Sequence, residues 1–194
     1  MIRNIWRAAL ATVVLAVVTG LIYPLVMTGF AQLAFHGEAE GSIVRVDGNP
    51  VASRLIGQRW VGPSWFYGRP SAIDYDAKTS SGSNLGPLSA DLAKGIKERA
   101  AAILKVEGPY VPGLTVSGIP ADLLLASASG LDPDISPVAA LFQAPRIAAA
   151  RGIPLAALRD LISKHTGRSP LNLFGDPHVN VFELNLALQG MKGQ

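Results

Sequence analysis

The chain has no cysteine. Disulfides, thiolate zinc sites, iron–sulfur clusters and cysteine nucleophiles are therefore excluded. There is no Gly-Lys dipeptide, so the chain cannot form the Walker A loop that holds nucleotide phosphates, and no lysine has Ser or Thr three residues before it. The stretch GSNLG at 82–86 places Asn84 where the G-x-S-x-G elbow of a hydrolase requires serine.

Acidic residues are missing from the N-terminal part of the chain. All 14 of them follow His36, and of the 17 basic residues only Arg3 and Arg7 precede this point. The rest of the chain therefore carries nearly equal numbers of acidic and basic residues. A nucleic-acid-binding domain would show a basic stripe there, and none is visible, so we expect no nucleic-acid partner.

A long uncharged stretch, residues 8–35, lies near the N-terminus. A bilayer-spanning helix needs about 20 apolar residues, so this stretch predicts one transmembrane helix, which Pro24 should kink. The alternative is a cleaved signal peptide, whose apolar core would be only about 7–15 residues long. Roughly 160 residues follow the stretch, enough for one domain with a core of its own.

The charges that flank the apolar stretch predict its orientation. Arg3 and Arg7 precede it, whereas Glu38 and Glu40 follow it and the next Arg or Lys is Arg45. The positive-inside rule places the N-terminus in the cytoplasm and the domain outside, which is the periplasm beyond an inner membrane. We therefore predict a single-pass inner-membrane protein with residues 1–35 as cytoplasmic terminus and membrane helix, and residues 36–194 as an extracytoplasmic domain.

Small residues recur every four positions along the predicted membrane helix, at Ala8, Thr12, Ala16 and Gly20, and Thr28 continues the spacing. Such a stripe lies on one helix face and allows another helix to approach closely. We interpret it as a packing face for a partner's transmembrane helix. An Ala-rich helix also produces such stripes by chance, and the sequence does not separate the two readings.

The predicted domain is mixed α/β, of the α+β type. The turn Asp47-Gly48-Asn49 between β-prone runs predicts a hairpin over residues 42–56, which Pro50 weakens. Helices are predicted over residues 89–107, from Ser136 and Pro137 to about 151 with Pro145 breaking or bending it, and over 154–165. Residues 119–127 are ambiguous between strand and short helix. The C-terminus begins with strand-like alternation at Val179 and Val181, and periodicity does not decide whether it becomes helical after Glu183.

Two long polar stretches, residues 58–87 and 129–137, show neither helical nor strand periodicity. A loop this long inside a compact domain is usually functional or disordered, and the aromatic residues of the first stretch argue against disorder. Asp132 and Asp134 flank Pro133 in the second, where they fit either a turn or a site for a hard cation.

The remaining candidate motifs for chemistry are weak. Asp76-Ala77-Lys78-Thr79 resembles the Asp-Lys-Thr of a phosphorylated aspartate loop, but the inserted alanine breaks its spacing. The three histidines, His36, His165 and His178, are not at helical metal-binding spacing. A membrane anchor, a packing stripe and two unusual loops without a catalytic constellation favour an accessory subunit over an enzyme.

Five stretches occur in this order along nearly the whole chain: TGLIYPLVMTGFAQ, GQRWVGPSWFYGRPSAIDYDA, SSGSNLGP, ASGLDPDISP and VNVFELNLAL. Together they resemble the KdpC family, the C subunit of the potassium-transporting Kdp ATPase. The resemblance implies a complex for high-affinity K+ import, in which a channel-like subunit carries the ion and a P-type ATPase subunit hydrolyses ATP. The C subunit would be non-catalytic, required for assembly, and would raise the ATP affinity of the ATPase subunit.

The resemblance therefore implies the ATPase subunit, the channel-like subunit and membrane lipid as partners, with no firmly bound cofactor and ATP involved only through the ATPase subunit. ATP is cytoplasmic whereas the predicted domain is outside, so any effect on ATP has to pass through the membrane helices. No residue is assigned to it.

The first loop supplies the candidate partner-contact residues. We expect residues 65–71 and 80–87 to hold the domain against a partner, with Trp65, Tyr67, Arg69, Ser83 and Asn84 either contacting it or pinning the loops. Core packing is the alternative for Trp65 and Tyr67, and turn formation for Ser83 and Asn84. Two other functions remain open: a periplasmic hydrolase using Ser83, His178 and Asp132 or Asp176, and a ligand-sensing domain.

Overall fold

The computed structural model describes residues 1–167 and 175–191. Its described residues form two compact units, Met1–Ser53 (unit 1) and Arg54–Gln194 (unit 2). Hydropathy predicts a division at residues 35/36, where the apolar stretch ends. In the structure the boundary lies after Ser53, because the hairpin that follows the apolar helix belongs to unit 1.

Unit 1 begins with one long helix, Ile2–Ala34, made of α1 (Ile2–Val17), a π-helical turn (Val18–Ile22) and α2 (Tyr23–Ala34). It is 33 residues long, has a mean hydropathy of 2.3 in its most apolar window, and buries none of that window within the protein. By length and composition it is the one candidate membrane span among the described residues. The predicted N-terminal apolar helix is thus present.

The helix irregularity predicted at Pro24 lies one turn earlier. Pro24 occupies the first turn of α2, directly after the π-helical residues Val18–Ile22. Proline cannot donate the hydrogen bond to the carbonyl four residues before it, and its ring crowds that carbonyl. A wider turn before the proline relieves the crowding and keeps the chain helical.

The predicted hairpin is confirmed. After the short helix α3 (His36–Ala39), β1 (Ile43–Val46) pairs antiparallel with β2 (Asn49–Ser53). Asp47 and Gly48 both have positive φ, 50° and 80°, as a type I′ turn requires. Pro50 pairs with Arg45, next to a shift in strand register. Proline has no N–H to donate to a neighbouring strand, so such an irregular position suits it.

Unit 2 consists of helices around a small antiparallel sheet of order β3-β5-β4. Its elements are α4 (Ala90–Glu107), α5 (Ala121–Leu124), β3 (Asp134–Ile135), α6 (Pro137–Arg151), α7 (Leu155–Lys164), β4 (Thr166–Gly167), β5 (His178–Asn180) and α8 (Val181–Gln189). Short 3₁₀ turns lie at Gly108–Tyr110 and Val116–Gly118. This is the mixed α/β class that the sequence predicts.

Local capping signals place the starts of the helices. The Ser89 hydroxyl accepts from Leu92 N at the start of α4, and the Ser136 hydroxyl accepts from Ala139 N at the start of α6, as predicted. The ambiguous region forms the short helix α5. At the C-terminus Asn180 accepts from Glu183 N and starts α8 at Val181, so the prediction of a strand-like Val181 was wrong.

Pro145 does not break α6, which runs without interruption from Pro137 to Arg151. Its neighbours Ala144 and Arg146 are fully buried, so tertiary packing holds the turn that the missing N–H weakens. The core of unit 2 is formed by apolar side chains from α6, α7, β5 and α8 with one aromatic ring from the long loop: Ala139, Ala140, Ala144, Ile147, Leu158, Ile162, Val179, Leu184, Leu188 and Phe66.

Candidate functional site

The chain between residues 54 and 89 contains neither helix nor strand, as predicted for residues 58–87, yet part of it is deeply buried. Phe66 has no exposed surface. Backbone groups that are buried without a helix or sheet need other hydrogen-bond partners. Four side chains from α6 and α8 supply them to residues 63–67, and we call Gln143, Arg146, Arg151 and Asn185 the clamp.

Arg146 is the centre of the clamp. Its side chain is fully buried, and its Nε donates to Glu107 Oε1 at 2.7 Å. Its Nη1 donates to the carbonyl oxygens of Pro63 and, at 3.1 Å, of Trp65, and its guanidinium lies 4.4 Å from the centre of the Tyr67 ring. One planar cation thus joins α4, α6 and the loop, which the point charge of a lysine cannot do.

Two buried amides hold the next residues of the loop as a neighbouring strand would. Asn185 Oδ1 accepts from Phe66 N and its Nδ2 donates to Phe66 O, both at 2.9 Å. Gln143 Oε1 accepts from Tyr67 N at 2.8 Å and its Nε2 donates to Tyr67 O at 3.1 Å. Each amide therefore satisfies both polar groups of one loop residue.

Arg151 completes the clamp at its outer edge. Its guanidinium lies 4.6 Å from the centre of the Trp65 ring, and its Nε donates to Ser64 O at 3.0 Å. Its Nη1 donates to Leu188 O at 2.8 Å, near the C-terminal end of α8. The cation thus also pairs with the negative end of that helix.

The two long loops are bonded to each other. Arg69 Nη1 pairs with Asp132 Oδ2 at 3.0 Å, and the Ser71 hydroxyl donates to Gly130 O at 2.7 Å. Tyr75 Oη donates to Arg69 O, and burial raises the pKa of Tyr75 to about 12, which keeps this donor protonated. The two loops are therefore bonded to each other, and the clamp holds residues 63–67 of the first one.

Close approach of the two loops requires glycine at residue 57. Gly57 N donates to Leu131 O at 2.8 Å. A Cβ at Gly57 would lie 2.9 Å from Tyr75 Cε1 and closer still to the carbonyl oxygen of Asp132. Backbone cannot move aside as the end of a flexible side chain can, so the loops would have to separate.

We expect Gly57→Ala to lower the free energy of unfolding by about 1–3 kcal/mol, the usual cost of overpacking. Gly86→Ala is the matched control, because a Cβ there meets nothing within 4 Å in the same loop, and its effect should stay within about 0.5 kcal/mol. Denaturant unfolding of the full chain in detergent measures both. Equal stabilities of the two variants would contradict the close contact.

The residues predicted as sites occupy three environments. Trp65, Tyr67 and Arg69 are half-buried within the clamped loops, whereas Ser83 and Asn84 are exposed, and Asn84 has a positive φ of 52°. In unit 1, Ala8, Thr12, Ala16 and Gly20 are all exposed, and the Thr12 hydroxyl donates to Ala8 O. The Thr12 hydroxyl, the polar side-chain group of this stripe, is therefore bonded within its own helix.

A cavity of about 530 Å³ brings together acidic residues of α5, of the second loop and of the segment before β5, with His178 of β5. Asp122, Asp132, Asp134, Asp176 and His178 line it, and Ser83 does not, so the hydrolase triad is not assembled around it. Asp132 Oδ1 accepts from Asp134 N, the turn role expected of it. Burial raises the pKa of Asp134 against the lowering effect of His178, and Asp132 adds a smaller rise. The described residues contain no group of three or more acidic or His side chains arranged to hold a metal.

Sequence reasoning missed the clamp. Gln143 and Arg146 are three residues apart on α6, on the face that also carries Ala139, Ala140 and Ile147. Polar residues within an apolar helical stripe are the one signal that marks them, because a buried Gln or Arg must have partners. Asn185 interrupts the apolar run of α8 in the same way.

The comparisons with known proteins agree with each other. The family model described as "K+-transporting ATPase, c chain" (KdpC) matches residues 5–190. A "Potassium-transporting ATPase KdpC subunit" of Caldanaerobacter subterraneus subsp. tengcongensis is 45% identical over 96% of this chain and 94% of its own length. Proteins with the same name from Polaromonas naphthalenivorans (47% identical, 98% and 96% covered) and Methylobacterium nodulans (46% identical, both chains fully covered) are equally similar.

Proposed function

Because the chain belongs to the KdpC family, and is therefore a subunit of the K+-transporting ATPase, we propose that its role is non-catalytic: it assembles and stabilises the complex. One observation carries the proposal. The buried clamp side chains Gln143, Arg146 and Asn185 bond to loop backbone, and Arg146 also bonds to Gln143 and to the buried Glu107. A domain whose buried polar groups are used to hold its loops rigid is suited to presenting a surface to partners.

We propose that unit 1 anchors the subunit by its single apolar helix, with Arg3 and Arg7 in the cytoplasm and unit 2 in the periplasm. Protease added to intact spheroplasts should then digest unit 2 and leave the helix. A chain that resists protease there, and is digested only after lysis, would contradict the orientation.

The partners proposed for the chain are the ATPase subunit and the channel-like K+-translocating subunit. The clamped loops, with Ser83 and Asn84 exposed at residues 80–87, are the surface we assign to docking. The increase in ATP affinity of the ATPase subunit, implied by family resemblance, would be transmitted through membrane helices, since unit 2 and ATP are on opposite sides.

The π-helical turn supports the assignment of the small-residue stripe to helix packing. On an α-helix a spacing of four residues rotates by about 40° per step, so Thr28 would lie about 200° from Ala8. A π turn contains roughly one more residue than an α turn, so it reduces the accumulated angle between Ala8 and Thr28 by about 100°. The turn at Val18–Ile22 therefore reduces the angle between Thr28 and Ala8 from about 200° to about 100°, which brings Thr28 nearer the face of Ala8.

A chain that ends at Ser53 tests the proposal, because it keeps the whole of unit 1 and lacks unit 2. We expect cells that carry only this chain to fail to grow on limiting K+. The ATPase and channel-like subunits should co-purify with it about tenfold less than with the full chain bearing the same tag. Undiminished growth and recovery would show that unit 2 is dispensable and would refute the role in assembly.

A further inference from the structure

Two adjoining cavities lie between α4 and the clamped loop. Their volumes are about 200 Å³ and 180 Å³, and Tyr67, Ala102, Ile103 and Glu107 line both. The remaining walls are mostly apolar, with Arg99 on one side. Since an apolar cavity of about 150 Å³ accommodates benzene, each is large enough for one six-membered ring.

Glu107, which lines both cavities, has one carboxylate oxygen without a donor in the described part of the chain. Only 3% of its surface is exposed, and its Oε1 accepts from Arg146. Its Oε2 is also buried, and no described residue donates to it. A buried carboxylate oxygen without a donor is costly, so a molecule that supplies one gains that energy on binding.

The charges around the cavities select a neutral ligand. Arg146, which lines neither cavity, already balances Glu107, and Arg99, whose Nε donates to Leu124 O at 2.6 Å, is the cation of the wall. A cationic ligand would meet the Arg99 guanidinium, and an anionic ligand would meet the Glu107 carboxylate. A hydroxyl donates to the carboxylate, and it accepts instead if the carboxyl is protonated.

We propose that the cavities shared by Tyr67, Ala102, Ile103 and Glu107 form a binding site for a small neutral molecule with a ring-sized apolar body and one hydroxyl. The apolar body occupies the cavity, and the hydroxyl donates to Glu107 Oε2. Because Tyr67 is both a wall of the cavities and a residue held by the clamp, the bound molecule also packs against the loop that the clamp fixes.

Phenol and toluene titrated against the full chain in detergent micelles test the hydroxyl. The two have similar size and differ in the hydroxyl, and the δ-methyl NMR signal of Ile103 reports occupancy. Phenol should shift this signal saturably and bind at least about fivefold more tightly than toluene. Absence of a saturable shift, or equal binding of the two compounds, would overturn the proposal.

Ala102→Phe tests the location, since Ala102 lines both cavities and its side chain is exposed, so a larger side chain can enter the space. It should weaken phenol binding by about tenfold or more. Ala101→Phe is the matched control: residue 101 is also exposed on α4 but lines neither cavity, and it should bind phenol as the parent chain does. Phenol binding that survives Ala102→Phe would place the site elsewhere.

Discussion

Arg146→Met is expected to lower the free energy of unfolding by about 3–5 kcal/mol, because the change leaves a buried carboxylate without its counter-charge. Glu107 has almost no exposed surface and takes its described hydrogen bond from Arg146. The carbonyls of Pro63 and Trp65 lose their donor in the same change. Denaturant unfolding of the full chain in detergent, followed by tryptophan fluorescence, measures the loss.

The same variant should show a distinctive pH dependence. Burial already raises the pKa of Glu107, against the opposing effect of Arg146, so removing the cation raises it further. A carboxyl whose pKa is higher in the folded state favours folding below its unfolded pKa, and that contribution is lost as pH rises through the folded pKa. The deficit of Arg146→Met should therefore be smaller at about pH 4 than at about pH 7.5.

Two further variants separate charge from geometry. Arg146→Lys keeps a cation for Glu107 but cannot reach several carbonyls with one planar group, so its stability should fall between Arg146→Met and the parent. Arg159→Met removes an exposed arginine of α7 and should change stability by less than about 0.5 kcal/mol. If Arg146→Met were as mild as Arg159→Met, the clamp would not stabilise unit 2.

Asn185→Leu is expected to cost about 2–6 kcal/mol. Leucine has a similar shape but leaves Phe66 N and O without partners, and each unpaired buried backbone group costs about 1–3 kcal/mol. Neither group can turn to water, because Phe66 and Asn185 are both fully buried. Thermal or denaturant unfolding of the full chain measures the change.

Gln189→Leu is the matched control for this substitution, since it replaces an exposed amide on the same helix by the same apolar side chain. Its effect should be within about 0.5 kcal/mol. Hydrogen exchange adds a local readout: the Phe66 amide should exchange much faster in Asn185→Leu and remain protected in Gln189→Leu. Unchanged protection in Asn185→Leu would mean that another group holds residue 66.

Local features of the fold were predictable because neighbouring residues produce them. Ser89 and Ser136 cap helices three residues ahead, and Asp47-Gly48 adopts the turn that joins adjacent strands. Val181 was predicted wrongly, although the cap that decides its structure is local, and Pro145 does not produce the break that was one of its two predicted effects. Packing of α6 overrides the break expected at proline, and capping by Asn180 overrides the strand-like alternation.

The sequence by itself determined that the chain has one long apolar helix, no cysteine chemistry and no nucleotide loop, and which family its ordered motifs resemble, since each depends on composition or on order along the chain. Only the tertiary structure decided that Gln143, Arg146 and Asn185 are the residues that hold the loop. Their bonds to the loop join positions 76, 81 and 119 residues apart. A polar side chain is stable in the interior only where distant backbone or charge meets it, and the fold alone brings them together.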